Sequence, residues 1–442
     1  PEDCIVINLA PADIPKHAAS FDLPIALALL AASGQVPAED LAGYAVVGEL
    51  AMDGGTRPIK GSLSMAMTAG RLEGLRGMIV PAASAAEAAV VSSVDVFAVT
   101  SLTQAVAFLS GQIQIEPTPS NLDQWFESFG NYDIDYSDVR GQESAKRAMM
   151  IAAAGFHNLL MVGPPGSGKT MLAKRLPGIL PRLTADESVE TTRIYSCMGL
   201  LPMGQPLMAV RPFRNPHHTI SNAGLVGGGS TPTPGEISLS HNGVLFLDEL
   251  PEFQRATLES LRQPIESGRA TVARANHHLT YPARFQLVAA MNPCRCGHLA
   301  DAAFACGRAP KCAQDYQSRI SGPLFDRIDL HVDVPAVNPS DLSLPPPAEG
   351  SAEVAARVAQ ARDIQRARYA KHDSTTPIRA NAQADGELLE AVAAPDADGR
   401  KLLTGAAERF KLSARGYHRV LRVARTIADL MGAPSVARGH IA

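Results

Sequence analysis

Residues Leu159–Thr170 read LLMVGPPGSGKT, and the fold is decided by how this stretch is read. The four apolar residues Leu159, Leu160, Met161 and Val162 predict a buried strand. Gly163, four intervening residues and Gly168-Lys169-Thr170 complete the P-loop spacing, with a helix expected to open at the lysine. In that pattern Gly163, Pro164, Pro165, Gly166, Ser167 and Gly168 form a turn whose N–H groups curl around phosphate oxygens. The helix N-terminus that follows favours negative charge. Lys169 can then reach the β- and γ-phosphates, and the Thr170 hydroxyl can ligate Mg²⁺. The stretch predicts a nucleoside triphosphate site.

Further along, Gly243–Leu250 reads GVLFLDEL, an apolar strand ending in Asp248-Glu249. Carboxylates at the C-terminal end of a parallel strand stand where Mg²⁺–phosphate chemistry takes place. Asp248 is expected in the Mg²⁺ shell and Glu249 as the group that orients and deprotonates the attacking water. A third apolar run, FQLVAAMN, ends on Asn292. Before it, RATVARANHHLTYPARF has strand–turn–strand character, with Arg274, Asn276, His277 and His278 around the turn. The stretch PFRNPHHTISNAGLVGGGSTPTPGEISLSHNG between the P-loop and the acidic strand is too irregular for a plain connection, and long irregular loops are usually functional or disordered. Its paired His217 and His218 are read as part of a structured insertion loop rather than as metal ligands.

Composition bounds the rest. The chain has 442 residues, 46% hydrophobic and 19% charged, with a net charge of −4. That length suits two to four domains, and the charge excludes a basic surface overall, so any nucleic-acid contact must be local. No apolar run approaches the ~18–20 residues that span a bilayer, and no signal peptide is visible. The opening inside a strand-like Cys4–Leu9 and the uncapped end at Ala442 suggest a piece of a longer chain. Of six cysteines, four (Cys294, Cys296, Cys306, Cys312) fall in one C-x-C…C-x5-C loop. Four thiolates match tetrahedral structural Zn²⁺, with His298 a possible substitute ligand.

In order, residues 1–112 predict an α/β unit, and 113–138, polar and Pro-containing, a linker carrying the lone Trp125 as a packing anchor. Residues 139–337 form an ATPase core with the cysteine loop, and 338–442 a helical lid after the break LSLPPPAEG.

Several motifs resemble known families. FDLPIALALLAASG, VGELAMDGGTRPIKG and GLRGMIVPAASAAEAA resemble the proteolytic domain of Lon-type proteases, but Ile25 stands where the active domain has serine, and an apolar residue around Leu63 where it has lysine. Without that dyad no nucleophile is expected. Val139-Arg140-Gly141-Gln142 resembles the V-x-G-Q element of AAA+ ATPases, which flanks the adenine. Asn292 resembles their sensor 1, and Arg415 in Ser-Ala-Arg-Gly their sensor 2. Arg419 and Arg422, further along the same helix, are read as structural. The hairpin around Arg274–His278 is similar to the pore hairpin of MCM helicases and magnesium-chelatase motors. Arg327 in SGPLFDRIDL occupies the arginine-finger position of that group, with Arg319 as second choice, and such a finger implies a ring.

Taken whole, GPPGSGKT, FRNPHHTISNAGLVGGG, GVLFLDEL, NPCRCG and SGPLFDRIDL resemble the ComM/YifB family, a Lon-like domain fused to a magnesium-chelatase-type AAA+ motor. The resemblance implies ATP with Mg²⁺ and a cytoplasmic homo-hexamer without membrane contact. It also implies a helicase acting on single-stranded or branched DNA, driving branch migration during recombination of transforming DNA. The competing expectations are the ATPase motor of a metal chelatase and a protein-remodelling machine.

Overall fold

The computed structural model describes residues 5–9, 19–202, 204–229, 232–274, 277–297, 299, 306–337, 349–372 and 378–442. Asn276, His298 and most of LSLPPPAEG lie outside the described residues, as do the side chains of Arg274, His277 and His278. Two compact units emerge: 1–130 with 184–209, and 131–183 with 210–442.

In the first unit, three parallel strands lie in the order Tyr44–Val46, Gly77–Pro81, Val96–Val99. The central strand is buried throughout, as an apolar run covered on both faces should be. Ile79 faces Leu23, Leu27 and Leu109, while Met78 and Val80 face Ala66, Ala85 and Ala88. Leu63 is fully buried in a third apolar group with Val90 and Leu207. Trp125 packs there too, from a helix Leu122–Phe129 that lies within the polar 113–138 stretch. The helix Ala185–Met198 belongs to this unit. Thr184 and Glu187 close a capping box at its start, and its Ser196 hydroxyl donates to Glu87.

The second unit is built on five parallel strands. Their spatial order is Leu330–Asp333, Leu159–Val162, Gln286–Met291, Val244–Leu247, Phe213–Arg214. Side chains alternate strictly between two cores. Leu159, Met161, Val244, Phe246, Val288 and Ala290 meet the helices Glu143–Gly155, Lys169–Ile179 and Ser351–Tyr369. Leu160, Leu245, Leu247, Leu287, Ala289 and Met291 meet Leu250, Leu258, Ile320 and Leu324 on the other side. Every parallel strand enters at one edge of the sheet and leaves at the other. The loops at the exit edge therefore converge beside the P-loop strand, where ligands bind in such sheets.

The C-terminal helices Gly386–Val392, Ala397–Phe410 and Ala414–Leu430 enclose a core of Tyr369, Leu389, Leu403, Leu421 and Ala428. Asp429, buried there, is shared by Arg368, Arg425 and Asn381, so the buried Arg425 guanidinium is not left unpaired. This helical layer is fastened to the entry edge of the sheet. The Thr426 hydroxyl meets His157 Nε2 at 2.8 Å, and Arg419 donates to the Ile328 carbonyl at 2.8 Å.

Candidate nucleotide and catalytic site

At the exit edge, the P-loop strand hands over to a tight turn. A Cβ on Gly163 would sit 2.1 Å from the Val334 carbonyl oxygen, so only glycine fits between these neighbouring strand ends. Gly168 has φ +89°, the left-handed conformation that turns the loop into the helix Lys169–Ile179. The Lys169 ammonium donates to the carbonyls of Gly163 (2.7 Å) and Pro164 (2.8 Å), and reaches Ser167 Oγ at 3.3 Å. Burial lowers its pKa, while Asp248 and Glu249 favour the charged form.

The acidic strand delivers Asp248 across from the P-loop helix. The Thr170 hydroxyl donates to Asp248 Oδ2 at 2.6 Å, which places two hard oxygen donors together. That donor set fits Mg²⁺, which prefers one or two carboxylates with phosphate and water oxygens completing its shell. Glu249 lies next, exposed, with a left-handed backbone at φ +53°. A non-glycine residue in that conformation is strained, and such strain concentrates at functional sites. The strand Gln286–Met291 ends just before Asn292, whose Oδ1 lies 3.4 Å from Lys169 Nζ. Lys169, Thr170, Asp248, Glu249 and Asn292 are thus brought together. Gln142 stands on the same edge, donating to the Pro335 carbonyl at 2.8 Å. With Val139, Gly168, Met171 and Leu172 it lines a partly apolar cleft against the P-loop, suited to a flat base.

One contact was not legible in the sequence. His218 Nδ1 lies 3.5 Å from Glu249 Oε2, with the His217 ring tilted against it at 4.1 Å between ring centres. The reason is topological. The strand Phe213–Arg214 pairs with the acidic strand, so the loop leaving it passes Glu249. The paired histidines were the available signal.

Arg327 and Arg415 are not at this edge. Both line a large open cleft at the entry edge, bounded by Asn158, Phe285 and Asp329, the residues immediately before three of the strands. The Arg327 guanidinium pairs with Glu266 and donates to the Pro323 carbonyl, and its Nε is buried without a partner among the described residues. Arg415 is exposed at the start of the helix Ala414–Leu430. Arg419 holds the Ile328 carbonyl, and Arg422 the Ala384 carbonyl at 2.7 Å, as structural residues would. Arg319 instead pairs with Glu252 at 3.1 Å.

The sulfurs of Cys294, Cys296 and Cys312 lie within 4.8 Å of one another. Cys306, half-buried in the same loop, is not part of that three-sulfur group. Among the described residues no helix is long and apolar enough to cross a membrane.

A P-loop, an acidic strand end and the polar Asn292 on one edge of a parallel sheet are the groups of a P-loop ATPase. The comparisons agree. Residues 135–342 match the family model described as magnesium chelatase, subunit ChlI, residues 348–442 its C-terminal model, and residues 1–84 the model for subunit ChlI of Mg-chelatase. The uncharacterized protein YifB of Salmonella typhimurium is 44% identical over all of this chain and 84% of its own length. Competence protein ComM of Haemophilus influenzae is 42% identical over all of this chain and 85% of its own. The magnesium-chelatase 38 kDa subunit of Rhodobacter capsulatus is 26% identical over 69% of this chain and 84% of its own. The chain belongs to the ComM/YifB family, and its magnesium-chelatase-like AAA+ core implies ATP hydrolysis with Mg²⁺.

Proposed function

We propose that this ATPase works as a homo-hexameric ring in the cytoplasm. In this reading it couples hydrolysis to translocation on single-stranded or branched DNA, and drives branch migration when transforming DNA recombines. The observation that carries the reading is the antiparallel hairpin of Arg269–Arg274 and His277–Pro282, which leads within a few residues into the strand ending on Asn292. Whatever the hairpin touches is joined by one strand to the γ-phosphate sensor, so a basic hairpin on a DNA backbone would be moved by each hydrolysis event. Its turn falls outside the described residues. The name of the Haemophilus relative, a competence protein, agrees with a role in DNA uptake.

In the mechanism, Mg²⁺ would be held by Thr170 and Asp248 and would neutralise charge building on the β- and γ-phosphates. Lys169 and the P-loop N–H groups position the phosphates. Glu249 accepts the proton of the attacking water, and Asn292 orients that water against the γ-phosphate. Arg327 and Arg415 face away from their own P-loop, which supports their acting on the nucleotide of a neighbouring subunit. Residues 1–112 serve in this reading as a Lon-like domain without proteolytic chemistry, given Ile25 and the buried Leu63. A zinc ion on the four cysteines would exchange no atoms with the substrate and would act by holding structure.

A chelatase-type or protein-remodelling motor is the second reading, favoured by the likeness to the 38 kDa chelatase subunit. Steady-state ATP hydrolysis with single-stranded, duplex and four-way-junction DNA separates the two. Stimulation strongest with junctions, and weakening as salt rises and competes for the phosphates, is expected. Hydrolysis indifferent to every DNA would favour the second reading.

A further inference from the structure

The cysteine loop sits where three parts of the catalytic edge meet. Cys294, fully buried, is the second residue after Asn292, on the segment leaving the sensor strand. The Gly297 N–H donates to the Cys294 carbonyl at 3.0 Å and closes a turn. This turn rests directly on the P-loop, because a Cβ on Gly297 would fall 2.5 Å from Pro165 Cδ. Cys312 lies on the helix Lys311–Gln317, whose Gln317 side chain donates to the Pro293 carbonyl at 3.1 Å. From the same helix Tyr316 is buried, and burial together with the carboxylates of Glu252 and Glu249 pushes its phenol up to about 12. One small loop therefore follows Asn292 directly and rests on the phosphate loop, with Tyr316 in the electrostatic field of Glu252 and Glu249.

The sulfur spacing suits a metal. Tetrahedral zinc with Zn–S bonds of about 2.3 Å sets its sulfurs about 3.8 Å apart. With Cys312 the sulfurs of Cys294 and Cys296 fall inside 4.8 Å, although the Cys294–Cys296 pair, at 3.1 Å, must open for a metal to enter. Neutral thiols are poor hydrogen-bond partners and do not by themselves hold such a cluster. A soft divalent cation does, and thiolate ligation selects zinc among the common ones.

We infer that Cys294, Cys296, Cys306 and Cys312 bind one zinc ion that locks Asn292 and Pro165 in register, so that the metal is needed for turnover and not for ATP binding. The turnover half rests on the ATPase reading, and the metal half does not. Protein purified under reducing, chelator-free conditions should carry about one zinc per chain, with four sulfur neighbours at about 2.3 Å by X-ray absorption. Cys312→Ser should lose the zinc and lower kcat roughly 10–100-fold, since a misplaced positioning group costs that much, while KM for ATP stays within about threefold. Cys197→Ser, an exposed cysteine of the first unit, should change neither. Because Cys312→Ser can fail by misfolding, wild-type protein is also stripped with a thiol-reactive mercurial and chelator, then restored with reductant and zinc. Turnover should fall and return with the metal. Absence of zinc from the wild type, or a Cys294–Cys296 disulfide in its place, overturns the metal site. Zinc lost with kcat unchanged overturns its role in turnover. Zinc-replete wild type that hydrolyses no ATP would instead overturn the ATPase reading, with the metal stoichiometry still decided.

Discussion

At the exit edge of the five-stranded sheet, side chains from three strand ends and one helix are already in contact. Thr170 meets Asp248, Lys169 meets Asn292, and His218 stands on Glu249. At the entry edge of the same sheet, Arg327 and Arg415 line a wide cleft with no phosphate-binding loop of its own. The first edge carries the P-loop lysine and the acidic strand end. The second carries Arg327 and Arg415 beside the acids Glu266, Asp326 and Asp385. The difference teaches that the phosphate-binding groups and these two arginines lie at opposite ends of the same strands, which suits the proposal that the arginines serve a neighbouring subunit.

The sharpest way to break this comparison is to remove one member from each edge. Lys169→Ala should abolish ATP binding, read by fluorescent-nucleotide titration, and with it all turnover. Arg327→Ala should leave nucleotide affinity within about threefold but lower kcat roughly 10³-fold, the loss expected of an arginine finger. Equal loss of affinity in both variants would mean that Arg327 serves its own P-loop, against the geometry.

A second test asks whether the entry edge is held rigid. Asp329 accepts from the Asn158 N–H at 3.0 Å and faces His157 at 3.7 Å. Burial pushes its carboxyl up, but His157, the Asn158 N–H and Arg422 together hold it below its ordinary value. Asp329→Asn should therefore cost about 1–3 kcal/mol of stability by denaturant unfolding at neutral pH, the usual cost of disturbing a buried, hydrogen-bonded group. A change within experimental scatter would mean that the edge does not depend on this pair.

The smallest expected effect is on acid stability. Asp135 accepts from the N–H and hydroxyl of Ser137 and from the Ser351 N–H, and these hold its pKa at about 2, below its ordinary 3.8. A folded-state value below the unfolded one stabilises above about pH 4, and that contribution is lost as pH falls through about 2. Asp135→Asn should flatten the acid limb of the stability curve in that window and leave the neutral limb parallel to wild type.

Much of the exit edge was legible because its signals are local. A P-loop is a run of adjacent residues, and Asp248 and Asn292 each end an apolar strand. The relation between strands is not local. His218 reaches Glu249 only because Phe213–Arg214 pairs with the acidic strand, which no spacing announces. The motif around Arg415 marks a lid arginine, yet its placement beside Arg327 depends on where the helix Ala414–Leu430 docks. That docking is set by tertiary contacts such as His157 with Thr426. The helix Ala185–Met198 looks in sequence like any capped helix following a P-loop helix. Only its packing near Leu63 and Val90 assigns it to the first unit. The cysteine loop is the intermediate case, since its spacing marked a cluster and its contact with Pro165 required the fold.

The most direct test of the account is a mixture of two inactive variants, Glu249→Gln and Arg327→Ala, assayed for ATP hydrolysis. If the two edges complete one site between neighbouring subunits, an Arg327→Ala subunit beside a Glu249→Gln subunit regains a full set of groups. Random mixing in a closed ring then restores up to about a quarter of wild-type turnover. A mixture no more active than either variant alone would contradict the shared site.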